Sequence, residues 1–202
     1  MRNIILSIIF ATLSAIGVCA QNAAKAKSIL DKTAKVVGNK GGASANFTLS
    51  TAKSGSVSGT ISIKGNKFQA RTPQIIVWYN GKTQWTYTKK NDEVNVSTPN
   101  KASQMTMNPY TFINIYRSGY NMSLKTSGKT NIVHLTAQNK KNGIEEMYIY
   151  VSPNYTPSMV KLRKGKEWTT ISISNFKTKT LADNIFTFNS KEFPSAEIID
   201  LR

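Results

Sequence analysis

Cysteine and histidine are almost missing: the 202 residues contain one of each. That excludes a disulfide framework and a Cys/His zinc site. Acids are scarce as well, 10 Asp plus Glu against 27 Lys plus Arg, so a dense carboxylate metal cluster lacks its ligands. Glycine (12) and proline (6) are too few for a collagen-like or linker chain. Beyond the leader, no segment approaches the ~20 apolar residues of a membrane span. What remains is an ordinary globular composition, 40% hydrophobic and 18% charged, with a net charge of +17. At 22.3 kDa it has the size of one domain, large enough to build a core without covalent staples.

The chain opens as a secretory leader. Arg2 provides a positive start, Ile4 to Ile16 an uncharged apolar run, and Val18-Cys19-Ala20 a small-residue cleavage site. Cleavage after Ala20 is predicted, with export to the periplasm and a single domain over 21–202. The rival reading makes Cys19 a lipidated N-terminus. Val18 opposes it, because lipoprotein leaders usually place Gly, Ala or Ser before that cysteine.

Residues 23–37 (AAKAKSILDKTAKVV) predict a helix. Ala26, Ile29, Leu30, Thr33 and Val37 share one face, and Gly38, Gly41 and Gly42 end it. Strand signals follow at Ser44–Ser50, Val57–Lys64, Lys67–Arg71, Ile75–Tyr79, Lys82–Tyr87, Ile132–Ala137, Ile144–Val151, Val160–Arg163 and Trp168–Phe176. Turn residues at Gly65-Asn66, Asn80-Gly81, Asn142-Gly143 and Gly165 join these into successive hairpins, an antiparallel meander. A two-residue turn at Gly65-Asn66 pairs Lys64 with Lys67, Ser62 with Gln69 and Thr60 with Arg71. The opposite face then carries Val57, Gly59, Ile61, Ile63, Phe68 and Ala70. In the next hairpin Ile76, Trp78, Trp85 and Tyr87 share a face. Together these rows predict one strongly apolar, aromatic side of the sheet. The register at Gly165 stays open.

Asn108 to Arg117 (NPYTFINIYR) differs from its surroundings. Asn108 is a good N-cap, Pro109 suits a first helical turn, and Phe112, Ile113, Ile115 and Tyr116 crowd one side. Met105, Met107 and Met122 flank it, and methionine suits surfaces that meet variable apolar shapes. Two readings stand: a short helix plugging the end of the sheet, or a movable lid over an apolar cavity.

Catalytic constellations are not apparent. His134 sits in a strand pattern without a placeable orienting partner. Glu145 and Glu146 are adjacent, and in a strand they point apart. Asp92 and Glu93 read as turn residues. There is no G-x-S-x-G elbow and no phosphate-cradling glycine loop. The expectation is a protein that is not an enzyme and needs no metal or cofactor. The spread positive charge suits transient attraction to an anionic membrane surface. Nucleic acid is disfavoured by export and by the lysine-free aromatic face of the hairpins.

Residues 57–97 carry a resemblance. GTISIKGNKFQA followed by PQIIVWYNGKTQWTYTKKNDEVNVS resembles the LolA-like periplasmic outer-membrane lipoprotein carriers, most specifically at Asn80-Gly81-Lys82-Thr83-Gln84-Trp85-Thr86-Tyr87. Phe68 matches the phenylalanine after the family's second strand, and Phe186-Thr187-Phe188 its late Phe-x-Phe before the C-terminal strand. The chain departs at Lys64-Gly65-Asn66, where many members carry Arg-Pro, and at Ala70, where they carry tryptophan.

The resemblance implies an α+β fold, an unclosed antiparallel half-barrel of about eleven strands with an N-terminal helix and a helical lid. It also implies a monomeric carrier that takes acylated lipoproteins from an inner-membrane exporter toward the outer membrane, and possible delivery to an acceptor there. The expected cavity and lid residues are Ile61, Ile63, Phe68, Ile76, Trp78, Trp85, Tyr87, Met105, Met107, Phe112, Ile115 and Tyr116. Physics agrees with such a role. Each methylene exposed to water costs about 0.8 kcal/mol, so a long acyl chain does not cross water unescorted. Two alternatives remain: a binding or sensor module of the same fold for a peptide, glycolipid or polysaccharide, and an exported enzyme using His134 or Glu145.

Overall fold

The computed structural model describes the backbone of residues 2–100, 114–139 and 143–202, with side chains from residue 20 onward. Along the chain lie α1 (Arg2–Val37), β1 (Ala43–Thr51), β2 (Gly55–Lys64), β3 (Lys67–Arg71), β4 (Ile75–Tyr79), β5 (Gln84–Thr88), β6 (Glu93–Ser97), β7 (Tyr120–Ser127), β8 (Thr130–Ala137), β9 (Glu146–Val151), β10 (Pro157–Lys164), β11 (Glu167–Thr178) and β12 (Glu197–Asp200). Short 3-10 turns occur at Ile115–Arg117, Asp183–Phe186 and Ser190–Glu192. The strands form one open 12-stranded sheet in the order β12-β6-β5-β4-β3-β2-β1-β11-β10-β9-β8-β7. All pairings are antiparallel except β12 with β6, which is parallel. No helix among the described residues is long and apolar enough to cross a membrane.

The expected hairpins form. The Gly65-Asn66 turn gives the anticipated pairs Lys64 with Lys67 and Ser62 with Gln69, with Gly65 at φ +57°. Asn80-Gly81 behaves differently. The Asn80 carboxamide oxygen accepts the backbone N–H groups of Lys82 (3.0 Å) and Thr83 (2.9 Å). The turn therefore widens into a loop, β5 starts at Gln84 and not at Lys82, and Trp78 pairs with Trp85. A slip of two residues leaves each side chain on its face. β7 lies outside the sequence reading, because its polar residues mask the alternation of Tyr120, Met122 and Leu124.

α1 lies across one side of the sheet, here called the inner face. Its stripe is buried as periodicity requires: Ala26, Leu30, Thr33, Ala34 and Val37 are all below a tenth exposed, while Lys25, Lys32 and Lys35 face out. Ala26 and Leu30 pack among Val133, Leu135, Met147 and Ile149. Ala34 and Val37 pack against Ile63, Phe68 and Tyr79. Gly59 keeps the inner face flat between these clusters. A Cβ there would stand 2.1 Å from the Arg71 carbonyl oxygen and 2.9 Å from the Phe47 ring.

The predicted single apolar side does not form. Gln69 pairs with Trp78 and Arg71 with Ile76, so the aromatic row of the second hairpin continues the polar row of the first. Ile76, Trp78, Trp85 and Tyr87 thus lie on the outer face, opposite Ile61, Ile63 and Phe68. The β3–β4 connection sets that parity, and hairpin patterns alone leave it undetermined.

What covers the outer aromatics is the C-terminal segment. Trp78 meets the rings of Phe188 (5.5 Å) and Phe193 (5.6 Å), and Tyr87 meets Phe193 at 4.7 Å. Phe186, Val94 and Val96 are buried. The polar row of the first hairpin holds this strap. Lys64 Nζ donates to the Leu181 carbonyl (2.8 Å) and Gln69 Nε2 to that of Ile185 (2.7 Å). Lys64 and Lys67 flank Asp183 at 3.0 and 3.3 Å.

Phe186→Ala removes a fully buried ring and is expected to cost about 3–5 kcal/mol, read by urea unfolding. A loss below 1 kcal/mol would mark the strap as peripheral. Hydrogen bonds from Lys64 and then Lys67 hold the Asp183 carboxyl below its ordinary 3.8. Its contribution is complete above the unfolded value, about 3.9, and disappears as pH falls through the lower folded value. Strap protection from proteolysis should therefore fade only below about pH 4 in the wild type. Asp183→Asn should lack this extra acid step.

Candidate functional site

Between α1 and the middle of the sheet lies a cavity of about 280 Å³. Its walls are Val37 of α1, Ala43, Ser44, Ala45, Phe47 and Leu49 of β1, Ile61 and Ile63 of β2, Phe68 and Ala70 of β3, Val77 of β4, Pro157 and Val160 of β10, and Ile171, Ile173 and Phe176 of β11. Every wall residue but Ser44 is apolar. Small-molecule sites run about 300–1,000 Å³, so this hollow suits one slender apolar segment.

Local sequence builds it. β1 alternates Ala43, Ala45, Phe47 and Leu49 inward with Ser44, Asn46, Thr48 and Ser50 outward. Thr48 and Ser50 meet Ser58 and Ser56 of β2 in hydroxyl pairs of 2.8 and 2.7 Å on the outer face. In β11, Ile171 and Ile173 point inward by alternation. Phe176 rejoins them three residues on because a bulge at Asn175, φ +52°, resets the parity. Phe68 and Tyr79 meet tilted at 5.7 Å beneath Ala34 and Val37. The Tyr79 hydroxyl donates to the Gly81 carbonyl at 2.9 Å, and burial raises its pKa.

The residues expected from sequence separate into groups. Ile61, Ile63 and Phe68 stand in the cavity wall. Ile76, Trp78, Trp85 and Tyr87 lie on the outer face, around the strap. Ile115 and Tyr116 are buried in the neighbouring core beside Ala26 and Leu30, and the Tyr116 hydroxyl donates to Asp31 of α1. Hydrogen bonds from Lys27 and Tyr116 lower the Asp31 pKa. Met105, Met107 and Phe112, with the helix start at Asn108 and Pro109, lie outside the described residues. The sequence reading missed the β1 and β11 walls. For β1 the signal was present in the alternation A-S-A-N-F-T-L; for β11 the bulge concealed it.

His134 has a partner after all, but on the open outer face. Its Nε2 is 2.9 Å from Glu146 Oε1, and its ring stacks on Tyr148 at 4.2 Å. Tyr148 OH and Arg163 Nε also donate to Glu146, at 2.9 and 3.0 Å. Burial pushes the Glu146 carboxyl up, but the bonds from Tyr148, Arg163 and His134 outweigh it and leave the pKa low. Glu145 does not point away from this group: it precedes β9, and Arg163 Nη1 reaches it at 2.7 Å. None of these residues lines the cavity.

A helix laid over an apolar hollow in an open sheet is the architecture of a carrier or binding fold. The family model described as "Outer membrane lipoprotein carrier protein LolA" matches residues 16–166, and the chain belongs to that family. An uncharacterized conserved protein from Thermus thermophilus has a similar structure: TM-score 0.59, 12% identity, covering 87% of this chain and 99% of its own. A LolA superfamily protein from Nitrosomonas europaea gives TM-score 0.45 at 13% identity, over 81% and 97% of the two chains. LprF from Mycobacterium bovis gives 0.44 at 12%, over 80% and 98%. No curated protein matches the chain.

One buried polar atom stands out on the helix above this region. Thr33 Oγ1 has no hydrogen-bond partner among the described residues, and the residue is 0% exposed. Thr33→Val keeps the shape and removes the unmet hydroxyl, so it should raise stability by about 1 kcal/mol, measured by urea unfolding. A decrease would show that the hydroxyl is satisfied in solution.

Proposed function

We infer that the protein is a non-catalytic carrier, exported with removal of its leader after Ala20, that shelters acyl chains of lipid-anchored proteins in the periplasm. The observation that carries this reading is the cavity wall, in which Ser44 alone is polar. Such a wall offers area and almost no directional bonds. It suits a polymethylene chain, worth about 0.8 kcal/mol per methylene withdrawn from water. It gives a peptide backbone or a sugar hydroxyl no partner, and unpartnered polar groups are costly to bury. Membership in the lipoprotein carrier family supports the same reading.

The proposed ligand residues are accordingly Ile61, Ile63 and Phe68 together with Ala45, Phe47, Ala70, Ile171 and Phe176. The partners in this reading are acylated lipoproteins, an inner-membrane exporter that loads them and the outer membrane that receives them. The size of the hollow fits part of one chain. A multiply acylated anchor therefore requires α1 to move away from the sheet.

Ala45→Phe places a ring in the hollow without disturbing a paired polar group. The expected result is at least about a tenfold loss of affinity for a fluorescent diacylated lipopeptide, or ~1.4 kcal/mol. The unfolding midpoint should stay close to the wild type. Full retention of lipopeptide binding in the folded variant would remove this cavity as the acyl site. Native mass spectrometry of the protein isolated from its own periplasm would then identify what it does carry.

A further inference from the structure

Antiparallel pairing sends alternate turns of the sheet to opposite rims, and the two rims differ in charge. On one rim lie the α1–β1 loop and the turns that follow β2, β4, β7 and β11. They carry Lys40, Lys64, Lys67, Lys82, Lys129 and Lys179. The carboxylates at that rim are Asp183, held between Lys64 and Lys67, and Asp200 at the far edge, paired with Arg202. Lys40, Lys82, Lys129 and Lys179 are exposed and make no ion pair among the described residues.

The opposite rim gathers the acids: Asp92, Glu93, Glu145, Glu146, Glu167 and Glu197. Cations of the same turns offset them: Lys53 on Glu167, Arg163 on Glu145 and Glu146, and the exposed Lys89, Lys90, Lys164 and Lys166. The inner face also stays open toward that rim. Val57, opposite Leu49 of the cavity wall, is 40% exposed, and Ile75 is 41% exposed. One rim is thus a lysine fringe with few acids, and the other mixes acids with cations and has an apolar lip.

We propose that the lysine rim is the face by which this protein docks on an anionic phospholipid bilayer, leaving the apolar lip turned away toward protein partners. The proposal builds on the reading that the protein works beside a membrane. The chemistry of the rim favours a fluid phosphate surface. Its turns bear lysine, while Arg202 at the far edge is taken up by Asp200, and lysine meets phosphate as a mobile point charge without the fixed fork that recognises a carboxylate. The cations are spread over separate turns, not collected in a groove, which fits an extended plane of headgroups. The unequal rims give the molecule a dipole that orients it before contact. Such binding is screened by salt over about 8 Å at physiological ionic strength.

The test is co-sedimentation of the purified protein with phosphatidylcholine vesicles, with and without an equal part of phosphatidylglycerol, at low and physiological salt. Binding to the anionic vesicles alone is expected, weakening with salt. Lys82→Glu/Lys129→Glu should weaken it at least about 25-fold, taking roughly fivefold per lysine near an anionic surface. Lys89→Glu/Lys90→Glu changes the net charge equally on the opposite rim and should cost less than about fivefold. Equal losses from both pairs would mean that binding follows net charge, and would overturn a docking face. So would equal binding to neutral vesicles. Rim-dependent capture by dextran sulfate without vesicle binding would assign the rim to a polyanionic polymer instead. Ala45→Phe should bind vesicles normally. If the wild type ignored lipopeptide yet docked through this rim, the carrier reading would fall and the docking face would stand.

Discussion

Trp78 and Tyr79 are neighbours in β4, point to opposite faces and are both 2% exposed. The architecture turns on that pair. A strand with one wet face asks for one covering layer, but β4 asks for two. Tyr79, with Val77, belongs to the inner core and the cavity. Trp78, with Ile76, belongs to the outer core. From β7 to β3 the apolar inner face turns to α1 and the cavity; from β4 to β6 the sheet buries its outer face under the strap. The inner positions of β5 are correspondingly polar: Gln84, Thr86 and Thr88. β4 is the seam at which the sheet changes sides.

This seam explains how far the sequence could be read. Most strands other than β7, and the hairpins they form, were legible from turn residues and apolar runs, as was the buried stripe of the helix. So was the alternation within each hairpin, because it needs only local parity. The relation between hairpins was not, since it depends on the Thr72–Gln74 connection and on what arrives from elsewhere in the chain. Trp78, Trp85 and Tyr87 looked like cavity residues for the reason that aromatic side chains on a sheet must be covered. The rings that meet Trp78 and Tyr87 are Phe188 and Phe193, roughly a hundred residues later, and no local pattern announces that. Lys64, Gln69 and Arg71 misled in the same way. They form a polar row in the sequence, yet Lys64 and Gln69 bind the carbonyls of the strap, and the Arg71 guanidinium lies 5.8 Å from the Trp78 ring.

The same division separates stability from function. The outer core is closed by rings, ion pairs and short hydrogen bonds, which fix one arrangement. The inner cavity is closed by side chains that meet across a gap and share almost no polar contacts. Interiors of the first kind resist change, while those of the second can exchange one apolar occupant for another at small cost. On the inner face, the last turn of α1 is a wall of the hollow, and its middle packs in the cluster around Val133 and Met147.

An open sheet also has two edges, and each is occupied in its own way. At one, β12 lies along β6, four residues long and ending in Asp200. At the other, Asn22 of α1 gives its amide to the Leu124 carbonyl (3.1 Å) and takes the Leu124 N–H (2.6 Å). Those are the two bonds that a residue of an adjoining strand would make. A single carboxamide thus stands in for a thirteenth strand and interrupts the template along which a second molecule would add its own. An unclosed sheet is thereby kept, at that edge, from being extended by its own kind.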